Sequence, residues 1–528
     1  MVTTYQYNTR ETPQSEPIPG STQVANNAGG FAWALDDWKR LERFLILGTE
    51  GGTFYVKERA LTLENAEVVR RCATADGART VSMITEISDT GRAVKNDPAI
   101  FALAICFAFG DVDTRRMARN VLPLVCRIGT HLFHFAEFVQ RMRGWGRVLK
   151  GAVADWYDQQ EVERVAYDIV KYRQRDGWSH KDLIILSHPN KHGNLYDYVV
   201  HDRSELTQLL PGVVADFERL QKCENTEGDA KVAAKIIADS VSNVPRECVP
   251  TYLLNYPVVW EALLSKYMPL EALVRNLATM TKLGVIAPFS AATEQVVKRL
   301  HDESGIIKAR LHPLKLLVAQ RTYATGKSMR GDATWTPVPQ VIDALDSAFY
   351  SAFGAVTPTG KNIMLALDVS GSMGWGDIAG MPITPREGTA AMALVTAAVE
   401  PNYMITAFSH ELRFVNISKG QRLADAMHQI SNIPMGGTDC SLPMVHALQN
   451  KLPVDAFVVY TDNETWAGKI HPAQALRKYN EIMGRNAKLV VVGMTATEFS
   501  IADPKSANML DVVGFDTATP EAISEFIR

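Results

Sequence analysis

A run of five apolar residues, Ile363-Met364-Leu365-Ala366-Leu367, ends on Asp368-Val369-Ser370-Gly371-Ser372, and that junction constrains the chain more than any other stretch. A short buried strand that ends in one carboxylate and two hydroxyls places three hard oxygen donors on one tight turn, the donor set a Mg²⁺-like cation takes. This is oxygen chemistry, not thiolate chemistry. Two later pieces extend the constellation: Gly436-Gly437-Thr438-Asp439 in a loop, and Thr461-Asp462-Asn463-Glu464 after the apolar run Ala456-Phe457-Val458-Val459-Tyr460. All three are expected at the C-terminal edge of a parallel sheet, the usual ligand crevice of an open α/β sheet. Asp-x-Ser-x-Ser alone is a weak signal, and the competing reading takes these residues as turn formers that cap helices.

In this order, with a Thr loop and a strand-end Asp following, the set resembles the metal-ion-dependent adhesion site of a von Willebrand factor A domain. The resemblance implies that Asp368, Ser370, Ser372, Thr438 and Asp462 hold a divalent cation, Mg²⁺ first, directly or through water. It also implies a protein partner that supplies the last ligand, often a carboxylate. Such a site binds; it need not catalyse.

At 528 residues the chain is too long for one core and points to two to four domains, or to one small domain plus an extended array. Hydrophobic residues at 46% and charged residues at 21% are those of an ordinary folded protein, which argues against a fibrous or disordered class. Met-Val-Thr-Thr-Tyr-Gln-Tyr at the start has neither the basic lead nor the apolar centre of a secretory signal, and no stretch has the apolar length of a membrane span. Six cysteines are scattered without a Cys-x-x-Cys pair, so neither a disulfide framework nor a zinc site is indicated. A cytoplasmic protein with no membrane partner is the plain expectation.

A net charge of −3 would count against a nucleic-acid binder if charge were evenly spread, and it is not. Between 114 and 150 lie Arg115, Arg116, Arg119, Arg127, Arg141, Arg143, Arg147 and Lys150 against the single acid Glu137. Between 298 and 330 lie Lys298, Arg299, Lys308, Arg310, Lys315, Arg321, Lys327 and Arg330 against Asp302 and Glu303. The C-terminal part is net acidic, so a basic surface belongs to the N-terminal part.

Residues 1–26, rich in Thr, Gln, Pro, Ser and Asn, form an arm that is either disordered or extended on a neighbour. From 27 to 355 the pattern is helical, with amphipathic stretches at 61–72, 80–91, 98–109, 115–128, 131–142, 145–156, 162–174, 232–241, 258–265, 269–282, 291–301, 313–325 and 337–353. Short helices at nearly even spacing mark an α-solenoid, although no fixed-period repeat is present; an irregular all-α domain is the alternative. After Thr357-Pro358-Thr359-Gly360 the pattern changes, and from 356 to 528 apolar strands alternate with amphipathic helices in the manner of a doubly wound sheet. Trp33 and Trp38 read as core.

An all-helical array followed by an A domain is a rare order, and particular stretches make it specific. Phe44-Leu45-Ile46-Leu47-Gly48-Thr49-Glu50-Gly51-Gly52-Thr53-Phe54-Tyr55, Arg175-Asp176-Gly177-Trp178-Ser179-His180-Lys181-Asp182-Leu183, Met268-Pro269-Leu270-Glu271-Ala272-Leu273-Val274-Arg275-Asn276-Leu277 and His312-Pro313-Leu314-Lys315 resemble the Ro ribonucleoprotein autoantigen (TROVE domain) family, over essentially the whole chain. The resemblance implies a HEAT-like helical ring with a central hole, closed where the A domain joins the two ends of the array. It further implies Y RNAs on the basic outer face, single-stranded 3′ ends of misfolded RNAs in the hole, a tie to 3′ exoribonucleases, and no hydrolytic chemistry in the protein itself.

Sequence-tolerant RNA capture needs Lys and Arg for phosphates and flat side chains for stacking. The segment 171–181 has both, and the candidate RNA contacts are Arg115, Arg116, Arg119, Arg141, Arg143, Lys171, Arg173, Arg175, His180, Lys181 and His188. Each histidine also fits an ordinary surface or capping role. The Gly48-Thr53 stretch lacks the Lys-Ser or Lys-Thr of a phosphate loop and follows a helix, so its glycines are expected to make a tight turn. Two further readings stand beside the RNA-binding scaffold. One is a protein-interaction module with the array as spacer; the other is a metal-dependent hydrolase, for which no second acid cluster is present.

Overall fold

The computed structural model describes residues 10–49, 57–202, 209–266, 268–328, 332–354, 356–418 and 420–528. Most of the expected Gly48–Thr53 turn, from residue 50 onward, and Arg330 lie outside them. Two short strands, β1 (Gln23–Ala25) and β2 (Phe31–Ala34), lead into the helical array. Its first part comprises α1 (Asp37–Leu47), α2 (Glu58–Ala75), α3 (Gly77–Thr90), α4 (Asp97–Phe109), α5 (Val112–Val125), α6 (Gly129–Arg143), α7 (Arg147–Asp158) and α8 (Val162–Lys171). A two-residue hairpin, β3 (Gln174–Arg175) and β4 (Trp178–Ser179), precedes α9 (His180–Ser187), α10 (Gly193–His201), α11 (Gly212–Gln221) and α12 (Glu227–Asp239). The array continues through α13 (Pro257–Ser265), α14 (Leu270–Lys282), α15 (Ala291–Leu300), α16 (Glu303–Lys308), α17 (Pro313–Ala324) and α18 (Pro339–Ser351).

Helices two apart pack on each other, α3 on α5, α4 on α6, α5 on α7 and α7 on α9, as in a stack of helical pairs. Helix α4 has no polar stripe: Ala99 to Ala108 are all buried except Phe101, which is partly so, because α1, α2, α3, α5 and α6 surround it. The helix expected to run from 162 to 174 stops at Lys171. Asp176 and Gly177 at φ 54° and 80° form the tight turn of the hairpin instead, a use of Asp-Gly that favours strands over a helix end. Trp33 is buried, and Trp38, partly buried, packs against the main core with the Arg79 guanidinium 4.0 Å from its ring.

The late helices return to the early ones. Arg310 pairs with Asp89 at 2.5 Å, and the ring of His312 meets the carbonyl of Arg92 at 3.2 Å, across some 220 residues of sequence. His312 is buried and held neutral, its pKa pushed down to about 3 by burial.

The C-terminal sheet has the order β11-β9-β8-β5-β6-β7, formed by β5 (Ile363–Asp368), β6 (Tyr403–Phe408), β7 (Leu412–Phe414), β8 (Ala456–Thr461), β9 (Lys488–Gly493) and β11 (Met509–Val513). All pairs are parallel except the edge pair β6–β7. Strand β5 is buried on both faces, and alternation divides it: Ile363, Leu365 and Leu367 join the core shared with α19 (Pro385–Val399), while Met364 and Ala366 join the other core with residues of α22 (Pro472–Met483). The sheet domain holds both ends of the array. Buried Arg43 of α1 reaches Asp511 of β11 at 2.6 Å and the carbonyls of Thr497 and Phe499. Arg321 of α17 reaches Glu387 of α19, and Arg422 reaches Asp343 of α18.

Residues 10–34 lie along this domain. Strand β2 pairs with both β1 and β10 (Phe499–Ser500), and Ile18 is buried against Trp33 and Ala473.

Candidate cation centre and nucleic-acid interface

Strand β5 ends at Asp368 and β8 at Thr461, neighbours in the sheet, so register alone brings the first and third loops together. The Thr461 hydroxyl donates to Asp368 Oδ2 at 2.6 Å, and the Ser370 N–H donates to Oδ1 at 2.9 Å. The Ser370 and Ser372 hydroxyls touch at 3.3 Å, and the Ser372 hydroxyl in turn bonds Asp462. The Thr438 loop is tied to both others through Gly371 N–H to the Gly436 carbonyl and through Trp466 and Ala467 N–H to the Thr438 carbonyl. Direct contacts thus join Asp368, Ser370, Ser372 and Asp462, and loop bonding brings in Thr438.

Both carboxylates are buried. Burial first, and then the charge of Asp462, push Asp368 up to about 7; burial likewise raises Asp462. Among the described residues no Lys or Arg forms an ion pair with either one. Buried Arg386 feels the charge of Asp368 but gives its N–H groups to the carbonyls of Ile430 and Ile433. Two buried carboxylates without an ion-pair partner among the described residues, beside three hydroxyls, fit a small divalent cation. Ser372 and Asp462 line a cavity with Gly48, Thr49, Trp375 and Asp377, so the donors face the seam with the helical array.

The basic candidates divide. Arg116 pairs with Asp113 and Arg141 with Glu137, both exposed. Arg119 pairs with Asp155 at 2.5 Å, Arg115 donates to the Gly110 carbonyl, and Arg143 donates to the Ala108 carbonyl. Lys171 and Arg173 lean on rings, the first on Tyr167 and Tyr172, the second on Phe217. Arg175 is exposed at the hairpin tip; Lys181 is exposed at the start of α9, and His188 is exposed where α9 ends at φ 57°. His180 does not belong with them. It is 2% exposed, its Nδ1 is hydrogen-bonded to the Tyr157 hydroxyl at 2.7 Å, and burial pushes its pKa down to about 3, so it is a neutral core imidazole out of RNA's reach.

Spacing did not signal what the hairpin is fastened to. Trp178 stacks on Trp145 with centroids 5.3 Å apart and planes at 24°, and its indole N–H donates to Glu137 at 2.8 Å. Glu137 also accepts from Arg141, so the end of α6 and the hairpin form one face carrying Arg141, Arg175 and a pair of indoles. His134 stands on the other side of the hairpin, with Nδ1 bonded to Asp97 at 3.1 Å and Nε2 3.2 Å from Asp176, a contact of charge without a hydrogen bond. The bond to Asp97, against the opposing effect of burial, holds His134 above its ordinary range.

The second basic stretch is occupied differently. Arg310 pairs with Asp89, Lys315 with Glu271 and Arg321 with Glu387, and Arg299 donates to the Met268 carbonyl. These contacts hold the array and its junctions together.

A family model described as the TROVE domain matches residues 24–243 and 240–322, and one described as the Ro60 vWA domain matches 362–527. The chain is 41% identical over 523 residues to the RNA-binding protein RO60 of Deinococcus radiodurans, covering 98% of this chain and 97% of that protein. It is 33% identical to the RNA-binding protein RO60 of Caenorhabditis elegans, covering 96% and 90%. The crystal structure of the Deinococcus radiodurans RO (RSR) protein superposes with a TM-score of 0.69 at 39% identity, over 93% of this chain and 99% of that one.

Proposed function

Because the chain belongs to the Ro60 family of RNA-binding proteins, we propose that it captures small non-coding RNAs without cutting them and acts in RNA quality control, processing and decay. The family is not one of enzymes. Y-type RNA docks on the outer face made by the end of α6 and the β3–β4 hairpin. Single-stranded 3′ ends of misfolded RNAs enter the hole of the ring, and 3′ exoribonucleases are the partners that degrade what is held. The cytoplasm is the compartment, in keeping with six free, buried cysteines.

The observation that carries this reading is the joined face. Arg141 and Arg175 are exposed beside stacked Trp145 and Trp178, and Lys181, exposed at the start of α9, pairs with no acid among the described residues. Exposed ion pairs such as Arg141–Glu137 are weak enough for a phosphate to replace the acid. Binding of a small structured RNA measured across a salt series tests it. A steep fall in affinity with salt is expected, and salt-independent binding would overturn a phosphate-dominated mode.

In the sheet domain, Asp368, Ser370, Ser372, Thr438 and Asp462 would hold a divalent cation, Mg²⁺ by the hardness of the donors, which would supply an open coordination position for the carboxylate of a protein ligand. The supporting observation is the pair of buried carboxylates, neither with an ion-pair partner among the described residues.

A further inference from the structure

Gln14 is 0% exposed although it lies in a Pro- and Ser-rich stretch that composition alone would leave in solvent. Its side-chain amide is fully used: Nε2 donates to Asp439 Oδ1 and to the Ile470 carbonyl, each at 2.8 Å, and Oε1 accepts from the Thr465 hydroxyl. Its own N–H donates to the Gly468 carbonyl at 2.9 Å. Further along, Asn26 donates to the Thr465 carbonyl at 2.8 Å, and Asn27 Nδ2 and the Ala28 N–H donate to the two oxygens of Glu464 at 2.7 and 3.1 Å. Asp439 follows the candidate ligand Thr438, and Glu464 and Thr465 follow the candidate ligand Asp462. The N-terminal segment therefore grips the second and third cation loops at once.

The approach is close enough to require glycine on both sides. A Cβ on Gly30 would lie 1.9 Å from the Thr465 carbonyl oxygen, and one on Gly468 would lie 2.2 Å from Gln14 Nε2. A tail resting loosely on a surface would impose no such demand.

We propose that residues 10–30 are a strap that positions the cation site, holding the Thr438 and Asp462 loops in register with the Asp368 loop. This inference rests on the cation reading above. Gln14, Asn26 and Asn27 touch no donor atom; they are positioning residues that act through Asp439, Glu464 and Thr465. Because linkage is reciprocal, a strap that favours the bound site must itself be held more firmly when the cation is present.

Titrating the full chain with Mg²⁺ alone by calorimetry, with hydrogen exchange of residues 10–30 followed in parallel, tests the inference. Gln14→Ala removes the amide that joins the loops, and Gly30→Ala pushes the strap off Thr465 without altering any loop side chain. Cation affinity is expected to fall at least about tenfold in each variant, and Mg²⁺ is expected to slow exchange across 10–30 in the unmodified chain several-fold; a purely structural arm would not respond to the ion. If the unmodified chain takes up no Mg²⁺, the cation reading falls and the strap with it. If it does, while both variants bind equally well and exchange is unchanged by the ion, the strap alone is overturned.

Discussion

The helical array and the sheet domain handle charge in opposite ways. On the array several candidate cations are exposed and paired with acids that water or phosphate can replace, as with Arg116–Asp113 and Arg141–Glu137. In the sheet domain Asp368 and Asp462 are buried, close, and paired with no cation among the described residues. Exposed, exchangeable pairs make a surface that trades partners at little cost and loses affinity as salt rises. A buried pair with no ion-pair partner suits the proposed small divalent cation, and salt screens it far less.

The largest expected effect breaks the comparison on the acidic side. Asp368→Ala removes the proposed strand-end ligand, and Mg²⁺ binding measured by calorimetry is expected to fall about a hundredfold or more. RNA affinity should stay within about twofold; a large loss would mean the two regions are not independent.

On the basic side, reversing Arg175 and Lys181 together to Glu should weaken small-RNA binding by roughly 10- to 100-fold in a filter or gel-shift assay, and flatten its salt slope by about two phosphate contacts. Unchanged binding would move the interface off the hairpin.

A neighbour of those residues sharpens the contrast. His180→Ala should cost about 2 kcal/mol of stability in a denaturant titration, through the lost Tyr157 bond and the space left beside Phe133, yet leave RNA affinity of the folded protein unaltered.

The smallest effect concerns pH. His134 is raised in the folded protein and Asp97 lowered, each chiefly by their mutual bond. The raised imidazole contributes stability that is fully present below its unfolded pKa and is lost as pH rises through the higher folded value. A neutral ring keeps the bond to Asp97 but loses the charge that attracts Asp176 at 3.2 Å. Hydrogen exchange in 174–179 should therefore speed up a few-fold as pH rises across that window, and His134→Asn should abolish the trend.

What could be read from the sequence was what is local in it. Asp368, Ser370 and Ser372 share one turn, and the apolar runs before Asp368 and Asp462 announce strands that the sheet places side by side. Helical periodicity located most of the array for the same reason. Where partners are distant, the pattern misled. Arg310, Lys315 and Arg321 read as a basic face, but their acids lie 221, 44 and 66 residues away at Asp89, Glu271 and Glu387. His180 and Lys181 are adjacent, and only the packing of α9 against α7 decides that one is buried and the other exposed. The hairpin had a local cue in Asp176-Gly177, overridden by the helical pattern preceding it.

The long-range fastenings also set the order in which the protein can be completed on the ribosome. Gln14 waits for Asp439, Arg43 for Asp511 and Arg92 for Asp516. At about 5 to 20 residues per second, the first helices spend about 20 to 90 seconds exposed before their final partners emerge. The nascent chain must therefore tolerate an unfinished amino-terminal half, and a late truncation would leave its opening segment unfastened.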